Sequence, residues 1–206
     1  MKKKNSIIIA IMILLNILSA CGVDSSSENA HHPDNNRSNV SVPLNGNEAD
    51  AAGSTDSLLS MINTVTLAGE SIAGTDFAGE KLTMLNIWAT WCPPCVAELP
   101  HLQEISLAYA DRGVRVVGVM QDGVNDKLEL DEGIIETGKE LLTNAGAEYI
   151  VILPDTVLMM EFIEQMQYFP TTFFLDADGK VIKTVIGSRD VDGWRQEIDE
   201  VLAEIS

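Results

Sequence analysis

The sequence predicts an α/β layer fold in which strands alternate with helices and a hairpin follows. Three observations carry that expectation. Leu82–Trp88, Val114–Met120 and residues 149–153 are near-continuous apolar runs of strand length, the pattern of strands covered on both faces. Helix-length segments at 94–110, 127–144 and 157–166 alternate with them. Lastly, Thr171–Leu175 and Val181–Ile186 flank Asp176-Ala177-Asp178-Gly179, a hairpin signal.

The N-terminus reads as an export signal. Met1-Lys2-Lys3-Lys4 is a basic start, and residues 7–18 are apolar but for Asn16. About 12 residues make only ~18 Å of helix, short for a bilayer span. Leu18-Ser19-Ala20-Cys21 closes the segment and resembles the lipobox of bacterial lipoproteins. That resemblance implies a signal peptide over 1–20, lipidation of Cys21 and stable attachment through several acyl chains. A plain secretory signal with a chance cysteine is the alternative. Residues 21–58 form the expected linker: rich in Ser, Asn, Asp, Gly and Ala, without an aromatic residue, they cannot bury enough apolar surface to offset their ordering entropy. His31-His32 reads as part of that solvated tract.

The folded domain is expected over 59–206. Residues 61–67 read as a strand leading into a turn at Ala68-Gly69-Glu70, with another turn at residues 76–80. Leu82–Trp88 is the first central strand. The helix over 94–110 follows, with Pro100 expected to kink it. Val114–Met120 is the second central strand. Gly133 and Gly138 weaken the helix over 127–144, Gly146 stops it, and residues 149–153 give the third apolar strand. Met159, Met160 and Met166 fit a buried helix face better than a soft-metal site. After the hairpin, a closing helix over 192–205 places Trp194, Ile198, Val201, Leu202 and Ile205 on one face.

Composition narrows the function. The formal net charge is −18, and residues 1–20 hold three lysines and no acid, so the remainder is more acidic still. Such a body repels phosphate backbones, which argues against a nucleic-acid partner. The cysteines are Cys21, Cys92 and Cys95, too few for a disulfide-built scaffold. The chemistry concentrates in Trp91-Cys92-Pro93-Pro94-Cys95, between a strand and a helix. A thiol at a helix start meets unpaired N–H groups and the positive end of the dipole, which favour the attacking thiolate. Pro93 and Pro94 fix φ and remove N–H donors where that loss costs least.

Residues 86–100, Asn-Ile-Trp-Ala-Thr-Trp-Cys-Pro-Pro-Cys-Val-Ala-Glu-Leu-Pro, resemble the active-site region of the thioredoxin superfamily. The Trp-Cys-Pro-Pro-Cys form with Glu98 is similar to its membrane-tethered TlpA/ResA-like branch, and the resemblance covers roughly 60–205. It implies a thiol–disulfide oxidoreductase and a thioredoxin-like α/β fold: a central mixed sheet flanked by helices, with an N-terminal strand extension and a helix–strand insertion between the Val114 and Thr171 strands. Cys92 is then the nucleophile and Cys95 the resolving thiol of a redox-active disulfide. The resemblance also implies a cis Pro170 against that disulfide; a trans proline opening a strand is the alternative. Glu98 is expected to tune thiol ionisation, beside a plain helix-dipole role. Trp91, Pro93, Pro94, Phe169 and Thr171 are expected to form the partner surface, and Trp88 to lie in the core. General thioredoxins commonly carry a buried Asp where this chain has Asn86, so the acid–base role shifts to Glu98.

No cofactor or metal is expected. Cys-x-x-Cys is also half of a zinc site, but His101 is the one other thiol or imidazole after residue 32. A purely structural disulfide closing so short a loop gains little. Two alternatives stand beside the leading one. A thiol peroxidase would carry Pro and Thr or Ser where this chain has Leu85 and Ala89. A Sco-type copper lipoprotein would use Cys-x-x-x-Cys and a distant histidine. The leading reading is a lipid-anchored oxidoreductase on the outer side of the cell membrane. It would reduce disulfide-containing proteins, apocytochromes among them, and be re-reduced by a membrane electron donor.

Overall fold

The computed structural model describes residues 57–205. The export signal, Cys21 and all of the linker up to residue 56 lie outside the described residues. Within them, strands and helices alternate as the apolar runs require. A hairpin of β1 (Asn63–Val65) and β2 (Ser71–Ala73) precedes β3 (Leu82–Trp88), α1 (Pro93–Tyr109) and β4 (Val114–Met120). Then come α2 (Glu132–Ala145), β5 (Ile150–Ile152), α3 (Thr156–Glu161), β6 (Thr171–Leu175), β7 (Val181–Ile186) and α4 (Val191–Glu204).

The main sheet has the order β5-β4-β3-β6-β7. β3 pairs with β4 and β4 with β5 in parallel, as helical crossovers demand, whereas β6 runs antiparallel to both β3 and β7. The sheet is therefore mixed, with β3 at its centre and buried along its whole length. Alternation along β3 divides the core. Leu82, Met84 and Trp88 pack on the face covered by α1 and α4, with Leu99, Leu102, Ile105, Trp194 and Ile198. Leu85 and Ile87 point to the other face, against Leu58, Leu59, Ile62, Phe77, Leu158 and Ile163. The helix–strand insertion between β4 and β6 comprises α2, β5 and α3. Among the described residues, no helix is long and apolar enough to cross a membrane.

Several boundaries differ from expectation for local reasons. Leu58, assigned to the linker, is buried, and its N–H donates to the Gly179 carbonyl at 2.9 Å. The strand expected over 61–67 narrows to β1, because the segment on both sides leaves the pairing: Ile62 closes a 3₁₀ turn, and Thr66 bridges to Ile152 instead. The helix expected from 127 starts at Glu132, where the Asp131 side chain accepts from the Gly133 and Ile134 N–H groups. The segment before it is a turn whose Leu128 has φ +61°. The helix expected over 157–166 ends at Glu161 and gives way to a 3₁₀ turn at Ile163–Gln165. Met159 is buried there, but Met160 is 52% exposed, so the methionine face is not wholly core. Ile205 caps the end of α4 and is exposed, outside the buried stripe of that helix. α1 runs on through Pro100, which is exposed.

The candidate dithiol site and its floor

Cys92 and Cys95 form a disulfide at the start of α1. Cys92 is the N-cap, with extended backbone, and its carbonyl accepts the Val96 N–H at 3.1 Å. An N-cap side chain ordinarily meets the N–H groups of the second and third helical residues. Pro94 removes the first of these, so the Cys95 N–H is the one left for the Cys92 sulfur. Helix-dipole support for a Cys92 thiolate is thus present but trimmed by the two prolines. Cys92 is 4% exposed and Cys95 0%, so both are buried and only the first keeps any accessible surface.

The surroundings of Cys92 are apolar and open. Trp91 is 62% exposed, and Pro93 and Pro94 are exposed beside it. The Phe169 ring meets Trp91 edge-on, centroids 5.8 Å apart at 83°. That contact joins the α1 start to the segment before β6, where the Phe169–Pro170 peptide is cis. The Pro170 carbonyl accepts from the Gly187 N–H at 2.8 Å, which fixes the segment against the end of β7. Thr171, expected on the partner surface, is buried instead. Its place in β6 pairs it with Ile87 and Ile186 on either side, and its hydroxyl turns back to donate to the Tyr168 carbonyl. Tyr168, three residues earlier, is 60% exposed.

Glu98 lies one turn beyond Cys95 on the buried side of α1, 1% exposed. Its Oε1 accepts from Asn86 Nδ2 at 2.9 Å and its Oε2 from the Arg189 N–H at 3.2 Å. Burial pushes the carboxyl up to about 7, against the opposing pull of the Asn86 and Arg189 hydrogen bonds and the Arg189 charge. The Trp194 indole also favours the anion slightly, although its N–H lies outside hydrogen-bond geometry and is unpaired. Asn86 completes the floor by donating to Thr172 Oγ1 at 3.0 Å. An acid that titrates near neutrality, one turn from a buried thiol, can hold or release the proton that thiol chemistry requires.

Sequence reasoning missed four contributors. Thr90, just before Trp91, donates its N–H and hydroxyl to the Asp122 carboxylate. Arg189 reaches Glu98 through its backbone, and its carbonyl meets His101 Nδ1 at 3.2 Å. Thr172 joins the site by strand register alone, opposite Asn86. None of these carries a motif; a polar residue inside the apolar Leu82–Trp88 run was the one available signal, and it pointed to Asn86.

A Cys-x-x-Cys pair capping the first long helix of a mixed sheet, with a cis proline following the Phe169 that meets Trp91, defines a thioredoxin-like thiol–disulfide oxidoreductase. The chain belongs to the redoxin family, whose model matches residues 46–202. It is 32% identical over 124 residues to the thiol-disulfide oxidoreductase ResA of Oceanobacillus iheyensis, covering 59% of this chain and 57% of that protein. The ResA of Bacillus anthracis is 30% identical over 135 residues, 64% of this chain and 71% of the relative. The thiol:disulfide interchange protein DsbE of Vibrio cholerae is 30% identical over 132 residues, 62% and 64% respectively. Among solved structures, a thioredoxin-family thiol:disulfide interchange protein from Chlorobium tepidum matches with TM-score 0.57 at 24% identity, over 72% of this chain and 98% of the other. A secreted Mycobacterium tuberculosis disulfide oxidoreductase gives TM-score 0.53 at 19% identity, over 68% and 96%. At those identities the structures speak for the fold.

Proposed function

We propose that the protein is a membrane-tethered reductase of disulfides in extracytoplasmic proteins, working through Cys92. The observation that carries this reading is the asymmetry of the Cys92–Cys95 disulfide: Cys92 keeps a small accessible surface beside the exposed Trp91, Pro93 and Pro94, and Cys95 keeps none. In the reduced protein the Cys92 thiolate attacks a partner disulfide, forming a mixed disulfide and releasing one partner thiolate, which takes up a proton. Cys95 then loses its proton and attacks the Cys92 sulfur. The intramolecular disulfide forms, the second partner thiolate leaves and is protonated, and two electrons have passed to the partner. Glu98 is the group placed to accept the Cys95 proton. Trp91, Pro93, Pro94 and Phe169 present the partner-binding surface, and Pro170 forms its wall.

Tethering rests on the lipobox-like Leu18-Ser19-Ala20-Cys21, disulfide exchange on the likeness to proteins named thiol-disulfide oxidoreductase ResA and thiol:disulfide interchange protein DsbE, and the reductive direction on the TlpA/ResA-like resemblance of residues 86–100. Apocytochromes are the proposed partners, with a membrane donor restoring the dithiol. Insulin reduction is the direct test. Cys92→Ser abolishes it, and Cys95→Ser accumulates mixed disulfides with partner proteins. Full insulin reduction by Cys92→Ser overturns the reading, and palmitate labelling retained in Cys21→Ser overturns the anchor.

A further inference from the structure

Both oxygens of the buried Glu98 carboxylate face donors: Asn86 Nδ2 on one side and the Arg189 N–H on the other. That geometry suits the anion. A neutral carboxyl carries a proton on one oxygen and needs an acceptor there. The Arg189 N–H belongs to the backbone and cannot turn into one. The Asn86 amide can. Its Nδ2 commits both protons, to Glu98 and to Thr172 Oγ1, while its Oδ1 is buried without a hydrogen-bond partner. An orphaned oxygen at full burial calls for a reason. Half a turn about the terminal torsion of Asn86 exchanges the two ends of the amide, so that Oδ1 faces Glu98 and Thr172 together. The Thr172 hydroxyl both accepts and donates, so it meets either end by rotating its proton.

We propose that Asn86 and Thr172 are positioning residues that form an amide switch, presenting Nδ2 to the Glu98 carboxylate and Oδ1 to the protonated acid. In each protonation state of Glu98 the end of the amide that faces it matches, and the opposite end is the one without a partner: Oδ1 beside the anion, Nδ2 beside the neutral acid. The switch concerns Glu98 directly; its relevance to turnover rests on the proposed proton role of Glu98. No charged side chain reaches Glu98 from β3 or β6, whose contributions are the neutral Asn86 and Thr172. The charged and titratable groups around it are Arg189 before α4, Cys95 on α1, His101 on the next turn through the Arg189 carbonyl, and Tyr149 before β5, whose hydroxyl senses the Glu98 charge.

The test is an NMR titration of the oxidised full chain, labelled with ¹⁵N and ¹³C. The Glu98 carboxyl carbon and the Asn86 side-chain amide should titrate with one midpoint. Across it, the Overhauser contacts between the Asn86 amide protons and the Thr172 methyl should fall at least fivefold toward low pH. Asn86→Ala, which removes donor and acceptor together, should move the Glu98 midpoint less than tenfold, whereas the loss of a fixed donor would raise its proton affinity at least tenfold and overturn the proposal. Asn86 contacts unchanged through the Glu98 titration overturn the proposal, even where the amide shifts drift with the nearby charge. Insulin reduction on the same preparation separates the two readings: its absence removes the proposed function and leaves the titration to decide the switch.

Discussion

The Asp122 carboxylate accepts the Thr90 backbone N–H at 3.0 Å and the Thr90 hydroxyl as well, tying the turn that delivers Cys92 to the end of β4. One acid thus holds the approach to the dithiol from outside its own segment. Hydrogen bonds to a charged acceptor contribute about 1.5–3 kcal/mol each at best, less where water competes.

Asp122→Ala should therefore destabilise the oxidised protein by about 1–2 kcal/mol and slow insulin reduction. Urea unfolding and the insulin assay check both. Asp122→Asn, which keeps acceptors for Thr90, should recover most of the loss. A wild-type unfolding midpoint and rate in Asp122→Ala would show that the tie is idle.

Glu98 gives a pH dependence with a definite sign. Its carboxyl is raised from the usual 4.5 to about 7 by burial. Between those values the unfolded chain has released the proton and the folded chain still holds it, so the folded state binds more protons. Stability contributed by Glu98 accordingly falls as pH rises from about 4.5 to 7, by on the order of 3 kcal/mol in total. Urea unfolding at pH 5 and pH 8 should show that fall in the wild type and a much smaller one in Glu98→Gln.

Trp91 and Phe169 meet edge to face at the rim of the site. Trp91→Ala should cost under about 0.5 kcal/mol of stability, because the ring is mostly exposed. It should lower kcat/KM for a protein disulfide about tenfold while sparing a small uncharged disulfide such as hydroxyethyl disulfide. A double-mutant cycle with Phe169→Ala should return a coupling of about 0.5–1.5 kcal/mol on the protein substrate. Equal losses on both substrates would move these rings from docking to chemistry.

Gly118 faces Asn86 across the β3–β4 pairing. A Cβ there would stand 3.1 Å from Val151 Cγ2 and 3.2 Å from both Trp88 Nε1 and Tyr149 Cε2. Gly118→Ala should destabilise by about 1–3 kcal/mol through overpacking, read in the urea midpoint. Unchanged stability would mean that the two rings yield freely.

Much of this was legible in the sequence, for physical reasons. The apolar runs of β3 and β4 are long because both faces of a central parallel strand are buried, so they announce themselves. Trp-Cys-Pro-Pro-Cys is legible because the chemistry requires contiguous residues at one helix start. The Glu98 floor is different. Asn86, Thr172 and Arg189 come from three separate segments, and register alone brings Thr172 opposite Asn86. The hold of Asp122 on Thr90 spans 32 residues and follows no spacing rule. Helix ends were misplaced where a capping side chain decided them, as Asp131 does for α2. Thr171 was misjudged because a sequence neighbour of a surface loop is here already a paired strand residue.

The complete burial of Cys95 governs how an encounter ends. A partner joined to Cys92 can leave in two ways: by taking its sulfur back, or by yielding to Cys95. No external thiol or small oxidant reaches the inner sulfur to intercept it. Under the reductive role proposed above, partners whose own second thiol is slow to return would be carried through to complete reduction, and those with a fast neighbouring thiol would be handed back unchanged. Under that role the fate of a captured partner would be decided in a contest between two intramolecular thiols, after the Trp91–Phe169 rim has discriminated at docking.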